Sequence, residues 1–443
     1  MPNKCKDWLI DVNYASGEMS VSTDGIHLDV VEDESKFYQL REEWESLVLI
    51  SESPIYTNFS WISNWWKYFG KHPNREMFVI VIYNSDRLIA VAPFYIGYSR
   101  IGRIILQKRL SLMGQGVGKN ESLGFRDTYG YSDFLDIVVD PEYRQVVARE
   151  LAGFFTDKLY EIDRIELNHL SDASFIMSDL LPILDADKFD LTQEESDKCA
   201  FLGSPNSIDE YFGELSSNTR RRFRQSIKIL ENNDSVTVED FSSPDKIDAG
   251  LNHLIDLHQT RWNKLGFPGL FFDDAFCKFI KSFLGEASRD GLIWFKLVKN
   301  ENSFCAARLA LKNKYSYYDY ISGFDDESPI AKRRPAIGLM VKLIEDATMN
   351  GIKTVELLRG EEDYKSDFTS LQRTNWRVFL RVKSRRGFKR KAFDLLINSF
   401  TKIYFLFNKE FGLLKFHKEK SGILKMLNTY LHFRYKTLLL KIK

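Results

Sequence analysis

The chain has 443 residues, of which 44% are hydrophobic and 28% are charged, values that are typical of a folded protein with two or three domains and that argue against extensive disorder. Basic and acidic residues balance at 62 each over the whole chain. The balance is not local, because residues 371–443 contain 19 Lys and Arg and only three acids, a net charge of +16.

Several classes of site and segment are excluded by composition. The four cysteines, Cys5, Cys199, Cys277 and Cys305, lie far apart and form no CxxC pair, so we expect reduced structural thiols. Seven histidines include no HxxxH pair with a supporting acid, so we expect no metal. The N-terminal residues lead into no apolar segment, and no stretch of about 18 apolar residues occurs. We therefore expect a cytoplasmic protein.

In the first half, residues 1–30 show no sustained periodicity and are predicted to be an irregular lead-in. Helices follow, and the second is aromatic, with Trp61, Trp65 and Phe69 at the spacing of a buried helix face. Two apolar runs around the polar residues 84–86 predict a hairpin. The predicted strands are 77–83, 87–95, 134–139 and 165–167, and the predicted helices begin at 33, 61 and 141.

The second half repeats this order of helices, hairpin, helix and further strands. The predicted helices are 208–232, 245–265, 272–285 and 335–350, and the predicted strands are 292–298, 303–311, 315–321, 353–357 and 376–382. This alternation indicates two related α/β domains in tandem, and residues 185–207 are predicted to link them.

Several stretches of the second half match the sequence pattern of a known family. They are Tyr211–Ser216 with Asn218–Arg224, Leu257–Trp262, Cys305–Ala307 with Tyr317–Tyr320, Arg334–Ala336 with Gly351, and Gly360–Lys365. By these stretches the second half resembles the acyltransferase domain of the CelD-like branch of the GNAT superfamily, which is similar in fold to the FemAB peptidyltransferases. Residues 61–70 and 89–93 extend the resemblance loosely into the first half. Two positions depart from the family pattern: Ala336 stands where Gly is usual, and Glu356 where Asp is frequent.

The resemblance implies an α/β (α+β) fold of two tandem GNAT-like domains, with mixed, mostly antiparallel sheets flanked by helices and a basic helical C-terminal tail. We predict four segments along the chain. They are an irregular lead-in at 1–30, an N-terminal GNAT-like domain at 31–185, a C-terminal GNAT acyltransferase domain at 205–384, and a basic amphipathic helical tail at 385–443.

The resemblance also implies acetyl-CoA or another acyl-CoA as donor. Lys332, Arg333 and Arg334 precede a helix that starts at Pro335 and Ala336. Because a helix N-terminus carries a partial positive charge and unpaired amides, we predict that these residues bind the CoA phosphates. The alternative is a solvated basic loop.

The transfer chemistry is predicted to lie between Gly360 and Lys365. Clustered carboxylates beside a lysine and a tyrosine can have pKa values that are pushed apart, which supplies an acid and a base. Tyr364 is the candidate acid for the departing thiolate, and Lys365 is a candidate anion-binding residue. Glu361, Glu362 or a base outside this turn would accept the proton. The alternative is an acidic helix start that suits the helix dipole.

The candidates for substrate binding lie on one predicted strand and two predicted helices. Strand alternation puts Tyr318 and Tyr320 on one face and Asp319 on the other, where the acid either lines a pocket or is an exposed polar group. Helical spacing aligns Arg220, Arg224 and Lys228, which either bind a phosphate-bearing substrate or form a solvated face. Arg261 and Trp262 resemble a family position beside the substrate groove, although Trp262 could equally be core.

We expect an N- or O-acyltransferase that acts on a cell-envelope or polysaccharide precursor by direct transfer from the thioester. The alternatives are a FemAB-like transferase that uses aminoacyl-tRNA and a non-catalytic, degenerate GNAT binding module. The basic tail could lie on the inner membrane face, pack on the acidic body or contact RNA. As binding partner of the whole chain we expect a small-molecule or saccharide acceptor, and we do not expect nucleic acid.

Overall fold

A computed structural model of the chain describes residues 25–101, 103–116, 131–158, 162–360 and 362–383. Within these residues, thirteen strands form a single mixed sheet. The strands are β1 (Ile26–Val31), β2 (Arg75–Asn84), β3 (Arg87–Ile101), β4 (Ile104–Leu112), β5 (Val138–Val139), β6 (Arg164–Ser171), β7 (Phe189–Gly203), β8 (Val236–Asp240), β9 (Ile293–Asn300), β10 (Ser303–Lys312), β11 (Ser316–Phe324), β12 (Thr354–Arg359) and β13 (Gln372–Val382). The helices are α1 (Glu34–Gln39), α2 (Arg41–Ser51), α3 (Phe59–Trp65), α4 (Arg144–Lys158), α5 (Ile208–Glu214), α6 (Ser217–Glu231), α7 (Ile247–Lys264), α8 (Asp274–Ala287) and α9 (Pro335–Met349).

The sheet has an internal symmetry. Its strand order is β1-β2-β3-β4-β6-β13-β7-β12-β11-β10-β9-β8, with β5 paired to β3. Each end is an antiparallel ladder of four strands, followed by one parallel pair, β4 with β6 in the first half and β11 with β12 in the second. The described part of the chain therefore has the tandem α/β architecture that the repeated element order predicts.

The two halves exchange their last strands. Strand β7, which ends the first half, pairs with β12 of the second half, and β13, which ends the second half, pairs with β6 of the first. The prediction of a linker at 185–207 is therefore wrong, because β7 occupies most of it. Residues 190–197 of this strand are mainly polar and exposed, so they carry no alternating pattern.

Three other elements differ from prediction. Strand β1 begins inside the predicted irregular lead-in and lies at an edge of the sheet, where Val31 is its one buried residue. In the predicted strand 134–139, Phe134 has a φ of 52°, and only Val138–Val139 pair with β3. The predicted helix 208–232 is two helices, because Leu215 is extended and the Ser216 hydroxyl caps α6 by accepting the Thr219 N–H.

Aromatic side chains join the two halves. Trp61 of α3 is fully buried, and its ring centroid lies 4.8 Å from those of both Phe279 and Phe283 of α8. Tyr320 of β11 packs edge-on against the same indole at 5.7 Å. The predicted core role of the aromatic helix is confirmed, and one buried hydrophobic cluster includes residues of both halves.

The parallel pair of the second half separates beyond a short contact. Among the described residues, β11 and β12 pair over Ser316–Tyr318 and Thr354–Glu356. Just beyond, a register shift between β10 and β11 leaves Tyr320 as an extra residue, and Leu358 has a φ of 61°. Beyond Tyr318 and Glu356 the two strands are no longer paired. We call the space between their unpaired ends the gap, and the candidate site is built around it.

Candidate active site

The start of α9 carries the predicted basic turn. Lys332, Arg333 and Arg334 are exposed, whereas Pro335 and Ala336 are buried in the first turn. Arg334 has a φ of 54°, and its carbonyl accepts the amides of both Ile337 and Gly338. Because those amides are engaged, the three basic side chains are the main groups that this turn offers to an anion.

A buried ion pair lies beneath this helix start. Arg308 of β10 pairs with Asp319 of β11, and both side chains are less than 5% exposed. The guanidinium also donates to the Ala336 carbonyl at 3.2 Å, which ties both strands to the start of α9. Burial acts to lower the pKa of Arg308, but Asp319 and Tyr364 hold it above its usual value. Asp319 is thus not the exposed polar residue of the alternative prediction.

Tyr364 lies beside this ion pair. Its ring packs edge-on against Phe368 with centroids 6.3 Å apart, and it interacts with the Arg308 side chain. Burial and the nearby Asp319 carboxylate raise the pKa of the phenol, although Arg308 opposes this shift. The hydroxyl therefore keeps its proton over the physiological range and is able to act as a donor.

Lys365 holds the turn that presents Tyr364. Its buried Nζ donates to the carbonyls of Leu358, Arg359 and Gly360 at 3.1, 2.7 and 3.4 Å. Glu362, which is largely exposed, lies 2.9 Å from the same ammonium. These contacts use the three donors of the lysine and indicate a positioning role in place of the predicted contact with substrate. Glu361 lies outside the described residues.

A second charged cluster was not predicted from the sequence. The Arg359 guanidinium lies 2.9 Å from His169 Nδ1 and 3.5 Å from Asp133 Oδ1, which also accepts the Asn375 amide at 3.0 Å. Burial and Arg359 lower the pKa of His169 well below its ordinary value, and burial raises the pKa of Asp133. The cluster joins four distant parts of the chain, so no local pattern could indicate it.

The buried Arg308 could have been found from the sequence, because it interrupts an otherwise apolar strand.

The candidate substrate residues lie in three places. Tyr318 and Tyr320 pack on Tyr56 of the first half, and Asp319 points to the opposite face, as strand alternation predicts. The Arg261 guanidinium lies 4.0 Å from the centroid of the Phe324 ring. Trp262 is 37% exposed and so is not a core residue.

Helix α6 carries a basic groove. Arg220, Arg224 and Lys228 line a depression of about 400 Å³, which confirms that they share one face. The Arg220 guanidinium also donates to the carbonyls of Gly213 and Leu215, at 3.1 and 3.0 Å. Helix α6 packs along α9 and contacts the basic turn at its start, so the two basic regions are neighbours.

The described residues contain neither a metal-binding cluster nor a helix that could span a membrane. No group of three or more His, Cys, Asp and Glu side chains in that part of the chain is arranged to hold a metal ion. None of its helices combines the length and apolar character that crossing a membrane requires.

Comparison with known proteins identifies the second half. Residues 217–366 match the family model described as "Acetyltransferase (GNAT) domain", and this range contains the gap, α9 and the Tyr364 turn. No curated protein matches the chain in sequence. The second half thus contains a GNAT acyltransferase domain.

Solved structures extend the likeness to both halves. FemX is similar with a TM-score of 0.55 and 11% identity, over 81% of this chain and 98% of its own. A conserved protein of unknown function from Bacteroides thetaiotaomicron VPI-5482 gives 0.47 and 9%, over 81% and 100%. A tandem GNAT protein from the clavulanic acid biosynthesis pathway gives 0.38 and 9%, over 80% and 98%. At these identities the likeness concerns the fold, and it rests on FemX. The chain has a FemAB-like tandem GNAT fold.

Proposed function

We propose that the chain transfers an acyl group from acyl-CoA, with acetyl-CoA as the expected donor, directly to an amine or hydroxyl of a cell-envelope or polysaccharide precursor. The observation that carries the proposal is the arrangement within the GNAT domain. An open parallel strand pair is followed by a basic turn at the start of α9 and by a partly buried tyrosine beside the same gap.

Donor binding would use the gap and the basic turn. The extended pantetheine arm would enter between β11 and β12, where main-chain groups beyond the short pairing could hydrogen-bond to it. Lys332, Arg333 and Arg334 would hold the pyrophosphate, because exposed basic side chains at a helix start favour anions. Arg308 and Lys365 would act indirectly, by fixing the two strands and the Tyr364 turn.

The donor site is tested by replacing the basic turn. We expect acetyl-CoA to raise the midpoint of thermal unfolding and free CoA to compete for it. Lys332/Arg333/Arg334→Ala should weaken acetyl-CoA binding at least tenfold, because three cations leave the pyrophosphate site. The matched control is Lys246/Lys281/Arg289→Ala, which removes three exposed cations elsewhere. Equal acetyl-CoA affinity in the two variants would contradict the assignment.

Tyr364 is proposed as the acid that protonates the departing thiolate. Tyr364→Phe should lower kcat about 100-fold, the usual scale for losing one general acid, while acetyl-CoA affinity changes little. CoA release with a thiol reagent under saturating donor provides the measurement. An unchanged kcat would remove Tyr364 from the mechanism.

A second candidate donor is aminoacyl-tRNA, which the FemAB resemblance implies. The observation in its favour is the basic groove on α6, which would suit a nucleic-acid backbone. Thermal-shift measurements with acetyl-CoA and with charged tRNA separate the two donors, and a response to neither would favour a non-catalytic module.

We also propose peripheral membrane contact through 385–443, a segment outside the described residues. Sedimentation with anionic lipid vesicles, with and without this segment, tests that contact.

A further inference from the structure

A cavity of about 360 Å³ lies between the two halves, and we call it the cleft cavity. Its volume is in the range of small-molecule sites. Nineteen residues line it, of which six are charged and six are serine or threonine. The serine and threonine residues are Ser51, Ser53, Ser171, Ser174, Ser316 and Thr354. Tyr318 and Glu356 also line it, and these are the residues at which the pairing of β11 with β12 ends. The cavity therefore adjoins the gap in which the donor is proposed to lie.

Glu356 is the unusual group in this cavity. It is only 4% exposed, and its Oε2 atom has no hydrogen-bond partner. Its Oε1 atom lies 3.2 Å from the Arg373 guanidinium. Burial raises the pKa of this carboxyl group, and Arg373 together with a side-chain hydrogen bond from Thr354 opposes the shift. Because a buried carboxylate oxygen without a partner is costly, the arrangement favours a ligand that donates to it.

The first half contains the counterpart of this residue. Glu166 and Glu356 occupy the same position of the two parallel strand pairs, since each is the third paired residue of its strand. Opposite each glutamate the exchanged strand places a phenylalanine, Phe379 and Phe201 respectively. An arginine lies over each of these rings, Arg164 at 4.7 Å and Arg373 at 4.1 Å. The sites are thus related by the internal symmetry of the sheet.

The two sites differ in what surrounds the carboxylate. In the first half, Arg109 and Arg164 both form ion pairs with Glu166, and all three side chains are less than 10% exposed. At the positions of these arginines the second half has Ser316 and Thr354, whose hydroxyls are 2.7 Å apart. Two small side chains in place of two arginines leave the space that forms the cleft cavity. The same substitution leaves Glu356 without the second cation that Glu166 has.

We propose that the cleft cavity binds the acceptor, that this acceptor is an amine-bearing polyhydroxylated molecule of the amino-sugar class, and that Glu356 holds its ammonium group. This inference rests on the proposed acyl transfer and specifies its acceptor. The Glu356 oxygen that has no partner in the structure forms the ion pair with the ammonium group. The serine and threonine hydroxyls hydrogen-bond to the sugar hydroxyls.

The position of Glu356 also provides a route for the proton. The bound ammonium gives one proton to the Glu356 carboxylate, and the freed nitrogen lone pair attacks the thioester carbon of the donor. The carbon–sulfur bond breaks as the amide bond forms. The nitrogen then releases its second proton to solvent. The Tyr364 hydroxyl protonates the departing thiolate and regains that proton from solvent. The products are the N-acylated sugar and CoA with its thiol.

Titration calorimetry of the full chain with D-glucosamine tests this inference, with N-acetyl-D-glucosamine as the probe that lacks the ammonium. Wild-type protein should bind D-glucosamine at least tenfold more tightly than the N-acetyl form. Glu356→Gln, which keeps the shape of the side chain, should remove this preference. Thr354→Arg, which restores the residue of the first half, should abolish binding of both sugars by filling the cavity. Glu194→Gln, at an exposed position of β7, is the matched control and should bind as wild type does.

Acetyl-CoA affinity is measured on the same proteins. The cavity is supported as acceptor site if both variants retain acetyl-CoA binding, Glu356→Gln loses the preference for D-glucosamine, and Thr354→Arg loses binding of both sugars. Equal D-glucosamine affinity in wild type and Glu356→Gln, or no D-glucosamine binding by wild type at millimolar concentration, overturns it. If wild type binds D-glucosamine as expected but binds no acetyl-CoA, the proposed donor fails while the cavity assignment stands.

Discussion

Two buried polar clusters lie near the gap between β11 and β12, and each joins several elements of the fold. Asp133 and His169 of the first half contact Arg359 of the second, and Arg308 with Asp319 connects two strands to α9. Removing one member of a buried ion pair leaves an uncompensated charge, which is generally far more costly than losing a surface pair. These residues therefore fix the geometry of the site before any substrate binds.

His169 makes stability depend on pH. The folded protein keeps this imidazole neutral, whereas in the unfolded chain it takes up a proton near its ordinary pKa of 6.5. Stability is therefore lost as the pH falls below about 6.5, and the loss from this residue is on the order of 1 kcal/mol at roughly pH 5.5. Burial lowers the pKa of His258 to about 4, so that residue acts in the same direction.

We predict that His169→Asn loses less stability than wild type, by an amount on the order of 1 kcal/mol, when the pH falls from roughly 7.5 to 5.5. Asparagine suits the test because it tolerates the left-handed conformation at this position, where φ is 60°. Urea unfolding at the two pH values provides the comparison. The same pH-dependent loss in both proteins would show that the native imidazole becomes protonated.

At the scale of elements, local chemistry determined what could be predicted. Both hairpins, β2–β3 and β9–β10, follow from apolar runs around polar turns, and their turn residues Ser85 and Glu301 have positive φ values. The helix start at Pro335 follows from proline's preference for the first helical position. Strand β7 could not be predicted, because its polar middle is stabilised by pairing with β12 and β13, which lie about 150 residues or more further along the chain.

The contact between α6 and α9 depends on one glycine. A Cβ atom at Gly338 would lie 2.7 Å from both the Ser226 carbonyl oxygen and Leu230 Cδ1. Gly338→Ala should therefore push the helices apart and cost about 1–3 kcal/mol, the range for overpacking. Gly285→Ala in α8 is the matched control, since nothing lies within 4 Å of the added carbon. Thermal unfolding midpoints measure both, and an equal response would contradict the close approach.

At the scale of the whole molecule, the strand exchange makes the two halves interdependent. Strand β13 separates β6 from β7, and without it the central part of the sheet would have no continuous ladder. The candidate site depends on the same exchange, because Arg373 and Asn375 of β13 contact Glu356 and Asp133. The sequence could indicate tandem domains and the basic turn, but not these contacts, because long-range pairing determines them.

We predict that a chain ending at residue 371, which lacks β13, is insoluble or unfolds without a cooperative transition. The loss of β13 exposes one edge of β6 and one edge of β7. A chain ending at residue 383 retains every described strand and should unfold cooperatively. Circular dichroism during heating, with gel filtration, compares the two. Cooperative unfolding of the shorter chain would show that the first half folds without the exchanged strand.

The place of β13 in the sequence has a consequence during protein synthesis. Strand β6 ends at Ser171 and its partner begins at Gln372, so about 200 further residues must be translated before that edge can be covered. At the usual 5–20 residues per second, the ribosome needs roughly 10–40 s for this. An uncovered strand edge is a template for association with other chains. Translation speed across the second half should therefore influence how much of the newly made protein aggregates.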